Sequence, residues 1–233
     1  MKRNIYSFLI GLFVLSFAGF WQNTSAQTTN SATNSDSQII FTWETGNFYP
    51  ADFQGKPLPT PGSSVAISAE VIKSGKLSDI TSSDITWYLD GDFMRKGSGE
   101  KKFSFMAKRN NSGKHTVRVK IQTSESSLDY SINIPVTDPL VVVETPYLGN
   151  VVPAGGQIIL KAVPYFFNNS SINQLLFMWQ IGNVVEKHLG DNVILLNIGT
   201  PQTSGQKIFI TTSVQNQDNL LEYMNKNTIL VVK

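Results

Sequence analysis

Hydrophobic and polar residues alternate with a period of two through most of the chain, the signature of half-buried β-strands. Val65, Ile67, Ala69 and Val71 share one face of a strand, and Ile85, Trp87 and Leu89 one face of the next. Asp90-Gly91 follows, a pair suited to a tight hairpin turn because glycine accepts positive φ without steric penalty. Phe103 and Phe105 mark a further strand, and Asn110 to Gly113 a turn. Val117, Val119 and Ile121, then Leu128, Tyr130, Ile132 and Ile134, line two more. A short linker at 136–139 precedes a second series, predicted at 140–143, 157–163, 175–181, 193–197, 206–214 and 220–232. Val193-Ile194-Leu195-Leu196 is apolar on both sides, which predicts one face in a core and the other against a neighbour.

The second series copies the first. Trp87 and Trp179 stand 92 residues apart, as do Ser112-Gly113 and Ser204-Gly205. Gly62–Ala69 and Gly155–Ala162 are shifted by 93, and Leu128-Asp129-Tyr130 and Leu221-Glu222-Tyr223 also by 93. Each copy has the length of an immunoglobulin-like sandwich, so the prediction is an all-β chain of two tandem immunoglobulin-like β-sandwich domains, 39–137 and 138–233. In such sandwiches a tryptophan on the third strand packs between the sheets, the place predicted for Trp87 and Trp179.

The N-terminus reads differently. Lys2 and Arg3 precede a mostly apolar run from Ile5 to Phe20, and Thr24-Ser25-Ala26 offers small residues for cleavage. The run is short for a membrane-spanning helix, which needs about 20 residues. Residues 1–26 are thus a signal peptide or an uncleaved N-terminal anchor, and the Thr, Ser, Asn and Gln of 27–38 a disordered tether. The chain contains no cysteine, which excludes disulfides and thiolate metal sites. An exported sandwich without disulfides fits a bacterial envelope: cell surface, periplasm or extracellular space.

Without Lys2 and Arg3, 17 basic residues face 17 acidic ones. The basic ones cluster. Between 94 and 120 stand Arg95, Lys96, Lys101, Lys102, Lys108, Arg109, Lys114, Arg118 and Lys120 against Glu100 alone. This segment is a candidate positive patch for an anionic polymer or an acidic protein face. Its alternative reading is a solvated strand face whose lysines discourage aggregation. The proline-rich loop Asn47–Thr60 carries Phe48, Tyr49 and Phe53, suited to sugar stacking or a protein contact, or to closing the end of the sandwich. Asp90 and Asp92 are two oxygen ligands where calcium needs six to eight, so a hydrated turn is the simpler reading and no metal is expected. His115 and His188 lie in different domains without a nucleophile-and-base motif, and are expected on the surface. Asn110, Asn168 and Asn169 fit short glycosylation patterns. No catalytic residue and no cofactor is expected.

The two tryptophan strands and the Ser-Gly turns before Lys114 and Gln206 resemble tandem immunoglobulin-like and PKD-like modules of bacterial surface proteins. Phe41-Thr42-Trp43-Glu44, Gly55-Lys56-Pro57-Leu58-Pro59-Thr60 and Pro164-Tyr165-Phe166-Phe167 are similar to segments of a family of exported proteins from small-genome candidate-phylum bacteria. The resemblance implies the architecture and no activity. The expected role is a non-catalytic structural or protein-interaction module at the cell surface. The alternative is binding of carbohydrate or an anionic polymer through the aromatic loop or the basic segment. The expected partner is another envelope or surface protein, with membrane contact only through an uncleaved N-terminal segment.

Overall fold

The structure is a computed structural model that describes residues 37–200 and 205–233. The predicted signal or anchor lies outside them, as does the predicted tether up to residue 36. Ser37 and Gln38 open the first strand instead, two residues ahead of the predicted boundary. The described residues hold sixteen strands, two 3-10 turns and no α-helix.

The first half contributes β1 (Ser37–Thr45), β2 (Ser64–Lys73), β3 (Lys76–Ser78), β4 (Asp84–Leu89), β5 (Asp92–Ser98), β6 (Lys102–Met106), β7 (Lys114–Gln122) and β8 (Ser127–Pro135). β2 lies between β1 on one side and β3 and β6 on the other, and the second sheet runs β5-β4-β7-β8, all antiparallel. The second half contributes β9 (Leu140–Glu144), β10 (Val151–Val152), β11 (Gln157–Tyr165), β12 (Leu175–Ile181), β13 (Val184–Leu189), β14 (Val193–Asn197), β15 (Lys207–Asn216) and β16 (Tyr223–Val232). Its sheets are β14-β11-β9 and β10-β16-β15-β12-β13, with β10 parallel to β16. Neighbours that are not consecutive, such as β4 and β7, make each half a sandwich of Greek-key type. The chain is therefore all-β and built of two immunoglobulin-like sandwiches.

Each sandwich has its own core. One centres on Trp87 with Ile67, Ile85, Val119 and Ile121, the other on Trp179 with Leu160, Phe177, Ile210 and Val214. Trp87 faces Val119 across the β4–β7 pair, and Trp179 faces Thr212 across β12–β15, so the tryptophans take equivalent places. The Trp87 indole N–H donates to the Glu100 carbonyl at 2.7 Å, whereas the Trp179 indole N–H and the Thr212 hydroxyl are buried without a partner.

The two copies differ most in two connections. Phe41 pairs with Ala69 and Val143 with Ala162, separations of 28 (69 − 41) and 19 (162 − 143). The β1–β2 connection is thus nine residues longer than its counterpart. Gln122 pairs with Ser127 and Gln215 with Tyr223, separations of 5 (127 − 122) and 8 (223 − 215). The β15–β16 connection is thus three residues longer. This corrects one repeat anchor: Leu221-Glu222-Tyr223 is not the counterpart of Leu128-Asp129-Tyr130. Ser127 corresponds to Tyr223, a shift of 96, and Glu222 stands in added loop.

Candidate functional site: the joint between the sandwiches

Both added loops meet at one place. The β1–β2 connection (46–63) leaves the first sandwich and lies against the β11–β12 connection of the second. The Phe48 amide donates to the Phe167 carbonyl at 2.7 Å, and the Phe166 amide to the Phe48 carbonyl at 2.6 Å, a two-bond ladder between the halves. The Phe48 side chain packs against the second core. Phe166 sits at φ 64, a conformation that bulky residues rarely adopt and that persists where surroundings over-determine it. Its amide is held by Phe48, and its carbonyl accepts from Asn47 Nδ2 at 2.7 Å.

Phe53 lies edge-on to Tyr165 and Phe166, with centroids 5.7 and 5.6 Å apart, and Tyr49 tilts against it at 6.0 Å. Burial pushes the Tyr165 phenol up. Gly55 makes room for the Phe53 ring: a Cβ there would stand 2.4 Å from its Cζ. Lys56 places its ammonium 3.9 Å from the Trp43 ring centre, and burial lowers its pKa.

Beneath the aromatics runs a buried polar chain. Glu222, only 7 % exposed, accepts from the Thr60 hydroxyl (3.0 Å), the Asn168 amide (2.9 and 3.0 Å) and Asn216 Nδ2 (2.6 Å). Thr60 Oγ1 accepts from Asn47 Nδ2 at 3.0 Å and contacts Ser63 Oγ at 3.0 Å. Asn168 Nδ2 donates to the Gly62 carbonyl at 3.1 Å. A buried carboxylate is tolerated when donors replace its water, and here four hydrogen bonds from three groups do so. Arg109 reaches the linker carboxylate of Asp138, and a groove of about 550 Å³ opens beside them, lined by Thr60, Leu221, Glu222 and Tyr223 among others.

The predicted aromatic loop is therefore brought together, but against the second sandwich. Of its three aromatics only Tyr49 is exposed, at 44 %, while Phe48 and Phe53 are half-buried. The segments Gly55–Thr60 and Pro164–Phe167, singled out in the sequence, are the two halves of this joint.

The basic residues are not gathered. Lys102 lies on the outer side of the β1–β2–β6 sheet, and Arg118 and Lys120 on the outer side of the opposite sheet. Lys108, Arg109 and Lys114 are at the joint end of the first sandwich. Acids stand beside most of the rest, from five residues away in Glu100 to 31 away in Glu70. Arg95 meets Glu100 (2.8 Å), Lys96 meets Asp84 (3.2 Å), Lys101 meets Glu70 (3.4 Å), and Arg118 meets Asp129 (2.6 Å) with Lys120 at 3.8 Å. The Arg118 hydrogen bond holds the Asp129 carboxyl below its ordinary range. Arg118 and Lys120 also lie 5.5 and 5.7 Å from the Tyr88 ring, which touches exposed Phe93.

Several expected surface groups are structural. His115 is 3 % exposed rather than solvated. Its Nε2 accepts from the Lys108 amide at 2.9 Å, so Nδ1 carries the proton and donates to Asp90 Oδ2 at 2.6 Å. Asp90 Oδ1 accepts from the Thr116 amide at 2.8 Å, which ties the turn to β7. His188 lies on the edge strand β13. Asn110 and Asn168 donate to backbone carbonyls, and Asn169 is buried. Among the described residues no group of three His, Asp or Glu is placed to hold a metal ion, and no helix is long and apolar enough to cross a membrane.

No protein-family model and no curated protein matches the sequence. Among solved structures the chain is similar to the three N-terminal domains of the bacteriophage RB49 highly immunogenic outer capsid protein. Identity is 12 %, the TM-score 0.48, with 84 % of this chain and 59 % of that one covered. It is also similar to fibronectin(III)-like modules of Clostridium thermocellum CbhA (11 %, TM-score 0.30, covering 83 % and 94 %). A third is the Bacteroides ovatus glucan-locus protein SGBP-B in complex with a mixed-linkage heptasaccharide (13 %, TM-score 0.26, covering 87 % and 48 %). At such identities and scores these likenesses carry no statement about activity or partners.

Proposed function

We propose that this chain is a non-catalytic structural and interaction element of a bacterial cell surface, in which two sandwiches are fixed as one stiff unit. The observation that supports the reading most is the joint. The two connections that are most lengthened relative to their counterparts, β1–β2 and β15–β16, both enter it beside the β11–β12 connection. In antibody domains the connections corresponding to β11–β12 and β15–β16 are left free for recognition. Here the first sandwich occupies that end of the second, so the joint acts as a brace. Export through residues 1–26 and kinship with surface proteins of candidate-phylum bacteria belong to the same proposal. They rest on the sequence features of the N-terminus and of the joint segments. The test is surface labelling of intact source cells combined with small-angle scattering of the purified chain. A labelled protein whose scattering fits one rigid shape supports the reading. A cytoplasmic protein, or scattering that needs many relative orientations, overturns it.

A second reading, binding of an anionic polymer, is favoured by one observation: Arg118, Lys120, Tyr88 and Phe93 share the outer face of the first sandwich. Capture on an anionic polysaccharide resin that weakens with salt and fails in Arg118→Ala/Lys120→Ala supports it. Failure to bind at low salt removes it.

A further inference from the structure

We infer that the groove beside the joint is a binding site for a neutral sugar, one or two pyranose units of a glycan. At about 550 Å³ it falls within the ~300–1,000 Å³ of small-molecule sites, and it lies between two sandwiches, where such sites concentrate. Both sandwiches line it: Arg109 from the first, Asp138 from the linker, and Asn219, Leu221, Tyr223 and Asn225 from the second. Leu221 and Tyr223 line it while 89 % and 58 % exposed, so no other part of the chain covers them.

The first sandwich shows that the fold does not require these residues. Tyr223 and Asn225 stand where the first copy has Ser127 and Asp129, on the same shift of 96. Asn219 and Leu221 belong to the β15–β16 connection, the one that is three residues longer than its counterpart. The same architecture stands without the aromatic ring, the amides and the added loop.

The chemistry of the lining selects the ligand. Arg109 cancels Asp138, and the Glu222 carboxylate already accepts four hydrogen bonds, so no free charge awaits an ionic ligand. What remains can both give and take hydrogen bonds, as hydroxyl groups demand. Arg109 spends one N–H of each terminal nitrogen on Asp138 and keeps the others, while both Asp138 oxygens keep spare lone pairs. Asn219 Oδ1 accepts from the Leu221 amide at 3.3 Å, which leaves Nδ2 to donate. The Asn225 amide and the Tyr223 phenol add further donors and acceptors. Beside these polar groups the Tyr223 ring and the Leu221 side chain offer apolar surface. A pyranose matches that mixture, because its hydroxyls radiate from a ring with a C–H face. A peptide added to β16 as a strand fits less well. Along the edge that β10 leaves uncovered, Lys226 lies opposite buried Thr212 and so sets a charge on the inward side.

An open groove holds so small a ligand weakly, with a dissociation constant of roughly 1 mM. This names a ligand for the interaction role proposed above and fails independently of it, because the stiffness of the joint is read without any ligand. The test is nuclear magnetic resonance titration of the isotope-labelled full chain with cellobiose, maltose, laminaribiose, lactose, mannobiose and diacetylchitobiose, each to ~20 mM. At least one should shift the side-chain amide signals of Asn219 and Asn225 saturably. Tyr223→Ala and Asn225→Ala, at exposed positions where folding tolerates change, should weaken that binding at least about tenfold. Tyr49→Ala in the aromatic loop, and Asn227→Ala on β16 outside the groove, should leave it unchanged. No saturable shift with any of these sugars, binding indifferent to Tyr223→Ala, binding lost in Tyr49→Ala, or shifts of the same groups by tetra-alanine and by no disaccharide would each overturn the inference.

Discussion

Replacing Glu222 by alanine should loosen the second sandwich and uncouple it from the first. The carboxylate accepts from Thr60, Asn168 and Asn216, all at buried or half-buried sites. Thr60 retains Ser63 and Asn216 retains the Asn168 carbonyl, so their losses are partial. Among the described residues the Asn168 amide donates to this carboxylate alone. A donor orphaned in the interior costs about 1–3 kcal/mol, and each charged hydrogen bond is worth about 1.5–3 kcal/mol before compensation. The expected loss is therefore about 3–5 kcal/mol. The share belonging to the joint is isolated by a double-mutant cycle of Glu222→Gln with Thr60→Val, for which a coupling of about 1–2 kcal/mol is expected. The assay is urea unfolding followed by tryptophan fluorescence, which reports both cores through Trp87 and Trp179. Glu186→Ala, on an exposed edge strand, is the comparison and should stay within about 0.5 kcal/mol. A Glu222→Ala variant no weaker than Glu186→Ala would refute the reasoning.

The tryptophan pair gives an internal comparison: Trp87→Phe loses an indole hydrogen bond that Trp179→Phe does not, so it should cost about 1 kcal/mol more in unfolding experiments. His115→Ala removes a buried bridge between Asp90 and the Lys108 amide, and should cost about 2–4 kcal/mol by thermal unfolding followed by circular dichroism. Asp129 is held below its ordinary value of 3.8, chiefly by the Arg118 hydrogen bond. Its contribution to stability is thus present above that value and lost as pH falls through the lower folded one, and Asp129→Asn should flatten acid unfolding there.

The strands that face a core were legible because burial on one side imposes alternation, as along Val117, Val119 and Ile121. β5 and β13 were not, because each is a sheet edge exposed along most of its length, so no period of two is written into its residues. His115 looked like a surface residue beside a turn, although it falls in phase with Val117 and Val119, the signal that placed it inward. The joint was half legible. Phe48, Tyr49 and Phe53 stood out as aromatics in a stiff loop, but nothing local says which surface they meet. Glu222 was hidden because Leu221-Glu222-Tyr223 mimics Leu128-Asp129-Tyr130. The repeat spacing, extended along the last strand, would have exposed the added residues. The basic segment misled because charge was counted along the sequence, whereas antiparallel pairing sets Arg118 beside Asp129 and Lys101 beside Glu70.

The most direct test of the central claim is to measure residual dipolar couplings of backbone amides in both sandwiches of the aligned full chain. If the joint makes one stiff unit, a single alignment tensor fits both halves in the orientation seen here, and Glu222→Ala combined with Gly55→Ala splits it in two. Two tensors of different magnitude in the unaltered chain would contradict the account.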